Sequence, residues 1–370
     1  MKIGFDAKRY YHNNTGLGNY SRTLVNGLQR LFPGNDYLLY DEGTLPRVLS
    51  LGRKAANDGC ELFHGLSNEL PMDILRAKRC GGGAKEMMSV VTMHDIAWLT
   101  FPDMYHWADR HIYDFKYGRS CRKADRVVAI SESTKRDIMR FYGVPEERIE
   151  VIYQPVQDYY YTPMAEDEAV RLIKEHFGDA LSSGTEGVRP YVLYVGSVNS
   201  RKNLLALVQA MELIPAGNRP LLLVVGNGRE YRKKVEEYID SHRLRQWVTI
   251  ATDIHNNRLL QALYRQAVVF AYPSFYEGFG LPVVEAALQR TPVITTTVSS
   301  LPEAAGPDAF LVNPHDKDCP EIVAHHIDRL LSDTDLRLSM GGKLEDYARK
   351  SFDPDGLTCQ MMGMYERLLM

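Results

Sequence analysis

The sequence contains no run of eighteen apolar residues, and so it lacks a segment able to cross a membrane as a helix. Cysteine is scarce: the five present form no CxxC pair, and their spacing fits neither a zinc site nor a disulfide framework. That usage is typical of a reducing compartment, so we expect a cytoplasmic protein. The net charge of −3 supplies no basic field, and we therefore expect no nucleic-acid partner.

A complete dinucleotide-binding fingerprint is also absent. The segment Gly16-Leu17-Gly18 has the G-x-G spacing, but it lacks the third glycine and the later acidic residue of that motif. This counts against an NAD-dependent oxidoreductase. The segment precedes an amphipathic helix, so it is either a loop that contacts a diphosphate or an acceptor, or a plain strand–helix connection.

Short apolar runs alternate with helical patterns along all 370 residues, and this alternation indicates a parallel-sheet α/β protein. We predict two Rossmann-like domains facing a cleft, an N-terminal one over residues 1–165 and a C-terminal one over residues 166–354. Residues 355–370 carry apolar side chains at helical spacing, and we expect a C-terminal helix that could pack back on the N-terminal domain. The predicted strands are 2–6, 37–40, 61–64, 89–94, 126–130 and 149–153 in the first half, and 191–195, 221–225, 248–251, 268–272, 293–296 and 310–312 in the second.

The stretch Tyr272–Arg290 continues one of these strands into a glycine-rich turn and an apolar helix. Gly278 and Gly280 let backbone N–H groups approach a bound group closely, and the positive end of the helix dipole favours phosphate there. Glu277 stands before the turn, and Glu285 follows eight residues later. Either carboxylate alone has a plain explanation, since Glu285 suits a helix start and Glu277 suits a solvated loop. Together with the glycine turn, they indicate a binding site.

A basic pair follows the first strand of the second half. Arg201 and Lys202 stand at the start of a helix, after a turn that contains Ser197. The pair suits a diphosphate, because Arg offers a bidentate fork and Lys a point charge; a solvated surface pair is the alternative. Gly226 lies in a second glycine turn, after the next strand.

A histidine follows the fourth predicted strand of the first half. His94 precedes Asp95, which could fix the histidine tautomer or cap the next turn. A histidine at a strand end can hydrogen-bond sugar hydroxyls, although a lone histidine is more often structural. His64, after the third strand, is a weaker candidate of the same kind.

The run E-G-F-G-L-P-x-x-E from Glu277 to Glu285 resembles the E-x7-E signature of the retaining glycosyltransferases of family 4 (group 1), which have the GT-B fold. The resemblance extends in motif order over nearly the whole chain. It implies catalytic roles for Glu277, His94, Arg201 and Lys202. Many members carry Arg where this chain has Ser197, a departure that places more weight on Arg201. The donor-binding residues that it implies are Gly16, Gly18, Ser197, Gly226, Thr252, Asp253, Ile254, Gly278, Phe279, Gly280, Leu281 and Glu285.

On this resemblance we expect a metal-independent, retaining glycosyltransferase that takes a nucleotide-sugar as its substrate and uses no cofactor. The predicted donor is GDP-mannose. The predicted acceptor is a glycan or a lipid-linked glycan of cell-surface polysaccharide synthesis, with peripheral contact at the inner face of the membrane left open. A sugar phosphorylase or epimerase of the same fold is one alternative, and a non-catalytic nucleotide-sugar-binding protein is another.

Three D-x-D triplets in the sequence are candidate metal sites. Such a motif holds a divalent metal in another glycosyltransferase class, but here each triplet lies in a polar connection or near a helix start, where Asp caps helices and turns. We therefore predict no metal site, because Arg201, Lys202 and the helix dipole can supply the positive charge. The triplets are Asp316–Asp318, Asp333–Asp335 and Asp353–Asp355.

Overall fold

The computed structural model of the chain describes residues 1–13, 16–75, 86–183 and 187–370. The chain forms two compact units. The first comprises Met1–Gln157 together with Phe352–Met370, and the second comprises Asp158–Ser351. Each unit is built around a parallel sheet, which confirms the predicted α/β class with two Rossmann-like domains.

The first unit contains a six-stranded parallel sheet of order β2-β1-β3-β4-β5-β6. Its strands are nearly continuous apolar runs, as expected for a parallel sheet covered on both faces. The strand order reverses between β1 and β3, so their carboxyl ends border the switch point at which open α/β sheets bind ligands. The strands are β1 (Lys2–Asp6), β2 (Asp36–Tyr40), β3 (Leu62–Gly65), β4 (Met88–Met93), β5 (Arg126–Ala129) and β6 (Ile149–Val151).

Helices cover this sheet, and one of them comes from the end of the chain. The C-terminal helix (Pro354–Leu369) packs against the helix Gly16–Leu31. Its Met361 and Tyr365 are buried in the same core as Ile3 of β1. The other helices of this unit are Lys8–His12, Thr44–Leu49, Leu51–Asn57, Ala97–Thr100, Trp107–Lys123 and Glu132–Tyr142.

The second unit contains a six-stranded parallel sheet of order β11-β10-β9-β12-β13-β14. The order reverses between β9 and β12, which pair directly through Val269 and Val192. The carboxyl ends of these two strands therefore open on the switch point of this sheet. The strands are β9 (Tyr191–Val195), β10 (Leu221–Val225), β11 (Val248–Ala251), β12 (Val269–Ala271), β13 (Val293–Thr296) and β14 (Phe310–Val312).

One short pair of antiparallel strands was not predicted. It consists of β7 (Ser182–Ser183) and β8 (Gly187–Val188). In the described ranges of the chain, no helix is both long enough and apolar enough to span a bilayer. The helices of this unit are Glu166–Phe177, Leu204–Leu213, Glu230–Ser241, Asn257–Gln266, Leu281–Leu288, Leu301–Ala305, Cys319–Ser332 and Thr334–Ser351.

The boundary between the two units lies after Gln157, whereas the sequence predicted it after residue 165. The chain re-enters the first unit at Phe352, whereas the predicted position was 355. The residues just after Gln157 belong to the second unit because side chains of that unit donate hydrogen bonds to their backbone carbonyls. Gln261 Nε2 donates to the carbonyl of Thr162 at 2.9 Å, and Gln289 Nε2 donates to that of Tyr160 at 2.8 Å. Sequence composition could not show these long-range hydrogen bonds.

Candidate active site

Two predicted segments meet at the switch point of the second sheet. Arg201 and Lys202 lie in a 3-10 helix that follows β9, and Asn199 accepts from the backbone N–H of Lys202 at 3.1 Å. The glycine turn (Tyr272–Gly280) follows β12. Because β9 and β12 are neighbours and parallel, both segments emerge from the same edge of the sheet.

Arg201, Lys202 and Glu277 form one charged cluster. Arg201 Nη1 lies 3.2 Å from Glu277 Oε2, and Lys202 Nζ lies 3.5 Å from Glu277 Oε1. The three side chains are largely buried, with 14%, 12% and 12% of their surfaces exposed. Arg201 also donates to the carbonyl of Tyr276, which ties the cation to the glycine turn. The structure thus brings together three of the four predicted catalytic residues.

Burial and charge oppose each other within this cluster. Burial alone would raise the pKa of Glu277, but the charges of Lys202 and Arg201 outweigh it and leave that pKa below its usual value. Burial lowers the pKa of Lys202, and Glu277 opposes that change. The cluster contains two cations and one carboxylate, so these three side chains carry a formal charge of +1 at a poorly solvated site. Such a site favours an anion.

Two hydroxyls complete the environment of Glu277. Tyr272 donates to Glu277 Oε1 at 3.0 Å, and Ser274 donates to the same oxygen at 3.0 Å. Lys202 Nζ in turn donates to the Tyr272 hydroxyl. Tyr272 and Ser274 are both fully buried. The carboxylate is therefore fixed from several directions, which suits a group that orients a ligand.

The backbone of the glycine turn is held by four hydroxyls from the segment that begins in β13. Thr295 donates to the carbonyl of Tyr272 at 2.9 Å, and Thr296 donates to that of Ser274 at 2.8 Å. The backbone N–H of Glu277 donates to Ser299 at 3.0 Å. Ser300 donates to the carbonyls of Glu277 and Phe279, each at 2.8 Å. This hydroxyl row (Thr295, Thr296, Ser299 and Ser300) determines the course of the turn.

The turn ends at the start of the turn helix (Leu281–Leu288). Gly280 is its N-cap residue, with a φ of 107° that disfavours any residue with a Cβ, and no side chain caps the helix there. Pro282 stands in the first turn of the helix, where its missing N–H costs nothing. The positive end of this helix therefore lies directly after Gly278 and Phe279, as predicted for an anion site.

Glu285 lies one turn into the turn helix. Tyr264, a fully buried residue, donates to Glu285 Oε2 at 2.9 Å. Burial raises the pKa of Glu285 to about 7, against the opposing effects of Tyr264, Tyr160 and the Lys202 charge. Glu285 and Lys202 thus share one electrostatic environment, and Glu285 changes its charge close to neutral pH.

The other predicted donor-binding residues of this unit lie on turns after β9, β10 and β11. Ser197 is exposed, and its hydroxyl accepts from Asn199 at 3.0 Å. Gly226 is required by packing, because a Cβ there would collide with the carbonyl of Gly196. Thr252, Asp253 and Ile254 follow β11, which is an edge strand of the sheet. Thr252 and Asp253 are exposed, and Ile254 is partly buried. No contact of these residues establishes a binding role, so that role stays a prediction.

His94, Gly16 and Gly18 belong to the first unit. His94 is 7% exposed, and its Nε2 lies 2.9 Å from the carbonyl of Leu66 and so carries the proton. Burial lowers the pKa of His94 to about 4, so the ring is neutral at pH 7. Tyr20 packs edge-on against this ring at 4.8 Å. Gly16 begins the helix that carries Tyr20, and Gly18 donates its N–H to the Asn13 side chain at 3.2 Å.

His64 serves the core and not a ligand. It is fully buried, with Nδ1 2.6 Å from the Tyr365 hydroxyl and Nε2 2.8 Å from Thr92 Oγ1. Both ring nitrogens are thus occupied inside the first unit, and the proposal of a ligand role is withdrawn. Sequence alone could not place the C-terminal helix beside β3.

Two residues of the D-x-D triplets act as capping residues, whereas Asp355 pairs with Arg30. Asp333 accepts from the backbone N–H of Leu336 at 2.8 Å, and Asp353 accepts from that of Gly356 at 2.7 Å. Within the described residues, no group of three or more His, Cys, Asp or Glu side chains is arranged to hold a metal ion.

Sequence reasoning missed Tyr272, Tyr264 and the hydroxyl row. Tyr272 falls in a predicted strand and the sequence gives Tyr264 no role, although each directs its hydroxyl to a predicted site carboxylate. The signal for Tyr272 was its position at the carboxyl end of a strand, where ligand-facing residues are expected. For Tyr264, which lies inside a helix, the sequence carried no such signal.

Comparisons with known proteins agree with this architecture. A family model described as Glycosyl transferases group 1 matches residues 182–349, which include the charged cluster and the turn helix. A second model, described as Glycosyltransferase Family 4, matches residues 15–158. The first match lies within the second unit, and the second match covers the first unit up to its boundary with the second.

Relatives and solved structures cover the chain from end to end. The chain is similar to the O-antigen chain mannosyltransferase B of Escherichia coli, with 30% identity over 401 residues and complete coverage of both chains. It is 26% identical to the O-antigen chain mannosyltransferase RfbU of Salmonella typhimurium over 65% of this chain and 61% of that protein. Among solved structures, sucrose-phosphate synthase from Thermosynechococcus elongatus has a TM-score of 0.76 at 21% identity, covering 100% of this chain and 99% of that one. Anabaena HepE in complex with UDP and glucose has a TM-score of 0.73 at 17% identity, covering 99% and 100%.

Proposed function

The chain belongs to the group 1 glycosyltransferases, and from this premise we propose that it transfers mannose from GDP-mannose to a glycan or lipid-linked acceptor. The transfer is metal-independent and retains the anomeric configuration. Relatives named as O-antigen chain mannosyltransferases support both the sugar and a place in cell-surface polysaccharide synthesis.

The charged cluster is the observation that carries the proposal. Arg201 and Lys202, held 3.2 Å and 3.5 Å from Glu277, leave a formal charge of +1 beside the amino end of the turn helix. A nucleotide diphosphate supplies the negative charge that such a place lacks, and it also needs donors in fixed positions. In this proposal Arg201, Lys202 and the helix dipole supply the positive charge that a metal ion would otherwise bring to the diphosphate.

Each residue then has a separate task. Arg201 and Lys202 bind the diphosphate and stabilise the charge that develops on its oxygen as the bond to the anomeric carbon breaks. Glu277 accepts hydrogen bonds from sugar hydroxyls and orients the ring, and Glu285 accepts from the ribose. The acceptor oxygen attacks the anomeric carbon from the same face from which the diphosphate leaves. Its proton passes to the leaving diphosphate oxygen. That course retains the configuration without a covalent enzyme intermediate.

The first unit supplies the acceptor side in this proposal. His94 keeps in this proposal the catalytic role that the family resemblance implies, as a neutral ring that follows β4. A lipid-linked acceptor and peripheral attachment to the inner face of the membrane are part of the same proposal. Exposed Trp107, Ile112 and Phe115 on the helix Trp107–Lys123 support it, because such side chains enter a membrane interface. Trp98, by contrast, is buried against Tyr117 as helix packing.

A donor screen tests the proposal. Thermal unfolding is followed with GDP-mannose, UDP-glucose and ADP-glucose, and the expected result is the largest rise with GDP-mannose. A ligand at a hundredfold excess over its Kd stabilises the folded state by about 2.7 kcal/mol. Release of GDP in the presence of a mannose-terminated acceptor then measures transfer. A larger rise with a UDP-sugar would overturn the donor assignment, and no rise with any of them would overturn the function.

The alternatives give different products. A phosphorylase forms mannose 1-phosphate from GDP-mannose only when phosphate is added, and an epimerase forms an isomer of the donor without an acceptor. A non-catalytic binding protein releases no GDP at all. Glu277→Ala separates this last case, because in an enzyme the variant still binds GDP while turnover falls by orders of magnitude.

A further inference from the structure

The Tyr272 hydroxyl lies between two members of the charged cluster. It accepts from Lys202 Nζ and donates to Glu277 Oε1 at 3.0 Å. Tyr272 directly follows β12 and is fully buried, so its hydroxyl is not exposed to bulk solvent. The order of donation is therefore fixed from the ammonium through the phenol to the carboxylate.

The ring that carries this hydroxyl is itself held firmly. It stacks on Phe270 at 5.6 Å and lies 5.6 Å from the ring of Tyr194. Lys202 Nζ lies 5.0 Å from the ring centroid, so the cation also contacts the aromatic face. Thr295 fixes the backbone of Tyr272 through its carbonyl. A rigid ring on a strand end places the hydroxyl more precisely than a loop residue could.

We propose that Tyr272 is a positioning residue, whose phenol keeps the Glu277 carboxylate in place when a diphosphate draws Lys202 and Arg201 towards itself. The inference rests on the proposed function, and it assigns Tyr272 no contact with the donor. Its physical basis is competition for the cations. The ion pairs of Glu277, at 3.2 Å and 3.5 Å, weaken as the cations bind phosphate oxygens, whereas the hydrogen bond from Tyr272 stays.

Tyr272→Phe removes one oxygen and leaves the packed ring. A hydrogen bond to a charged group contributes enough that its loss lowers kcat about tenfold to a hundredfold. Tyr191→Phe is the matched control, because Tyr191 is a fully buried residue of the neighbouring strand β9 whose hydroxyl donates to the Leu263 carbonyl at 2.6 Å. We expect Tyr191→Phe to keep kcat within about twofold of the parent protein, well inside the effect expected for Tyr272→Phe. Thermal unfolding of both variants shows whether they fold.

The pH profile separates positioning from general loss of structure. The hydrogen bond from Tyr272 is one of the contacts that lower the pKa of Glu277, after the charges of Lys202 and Arg201. Removal of this hydrogen bond raises the pKa of Glu277. As pH is lowered, activity that needs the ionised carboxylate is therefore lost at a higher pH. The acid limb of the kcat profile is expected to move to higher pH in Tyr272→Phe and to stay in place in Tyr191→Phe.

A double-mutant cycle with Glu277→Ala, which leaves no acceptor for the Tyr272 hydroxyl, completes the test. If Tyr272 acts through the Glu277 carboxylate, Tyr272→Phe causes little further loss of kcat in the Glu277→Ala background. Equal losses in both backgrounds, an unmoved acid limb, or equal losses in Tyr272→Phe and Tyr191→Phe would each overturn the inference. Failure of the proposed function is distinguishable, because the parent protein itself would then release no GDP from GDP-mannose.

Discussion

Glu277→Gln is the substitution that exposes the energetics of the charged cluster. The amide keeps the shape of the carboxylate and can still accept from Tyr272 and Ser274, but it carries no charge. Arg201 and Lys202, both largely buried, then lose the negative charge that Glu277 holds 3.2 Å and 3.5 Å away. Removal of one partner from a buried ion pair costs about 3–5 kcal/mol, because the remaining charge keeps its desolvation penalty.

This cost is measurable as a thermal shift. A unit of the size of Asp158–Ser351 loses about 2–4 °C in Tm per kcal/mol, so the second unit of Glu277→Gln should unfold roughly 6–20 °C lower. Scanning calorimetry at pH 7.5, where Glu277 is ionised in the parent protein, measures it. Glu212→Gln is the control: Glu212 accepts from Tyr238 at 2.6 Å on the same unit, and its change should shift Tm by about 2 °C or less.

A nucleotide diphosphate should reverse much of the loss. The variant cluster carries a formal charge of +2, so GDP should raise the Tm of Glu277→Gln at least as much as that of the parent protein, although transfer is lost. A variant with the Tm of the parent would refute the buried ion-pair reasoning. A variant that GDP stabilises less than the parent would refute the placement of the diphosphate beside Arg201 and Lys202.

Further predictions concern pH and packing. The pKa of Glu285, raised by burial to about 7, implies that GDP affinity rises from pH 6 to pH 8 as the carboxylate ionises, and isothermal titration of Glu285→Gln should show no such rise. Because burial raises the pKa of Glu285 to about 7, the folded state binds one more proton than the unfolded chain at pH values between the pKa of the unfolded chain and about 7. The free energy of unfolding of the parent protein therefore falls as pH rises through that window, and that of Glu285→Gln does not. The pKa of His94, lowered by burial to about 4, predicts that the kcat profile has no limb from this ring between pH 6 and pH 8, and comparison with His94→Gln checks it. Met361→Ala in the C-terminal helix should destabilise the first unit by about 2–5 kcal/mol in denaturant unfolding, because Met361 is fully buried there.

The fold was readable because parallel α/β units repeat a strong local pattern. Apolar runs of strand length alternate with helical periodicity, and the six main strands of each sheet lie within a few residues of the predicted ones. The unit boundary was less accurate, since Gln261 and Gln289 hold the linker backbone through contacts distant in sequence. The paired strands β7 and β8 were missed because two-residue strands have no periodicity to detect.

The site was partly readable because ligand-binding residues of such sheets follow the strands. That rule located Arg201, Lys202 and Glu277, which the structure brings into one cluster. It also suggested His64, wrongly, because the same strand-end position can face a core when a distant helix packs there. The residues that fix the cluster, such as Tyr272, act through side-chain geometry that no spacing in the sequence encodes.

A crystal structure of the protein with GDP-mannose tests the central claim most directly. The account predicts the diphosphate at the carboxyl ends of β9 and β12, with phosphate oxygens about 3 Å from side-chain nitrogens of both Arg201 and Lys202. A diphosphate bound elsewhere, with neither cation in contact, would contradict it.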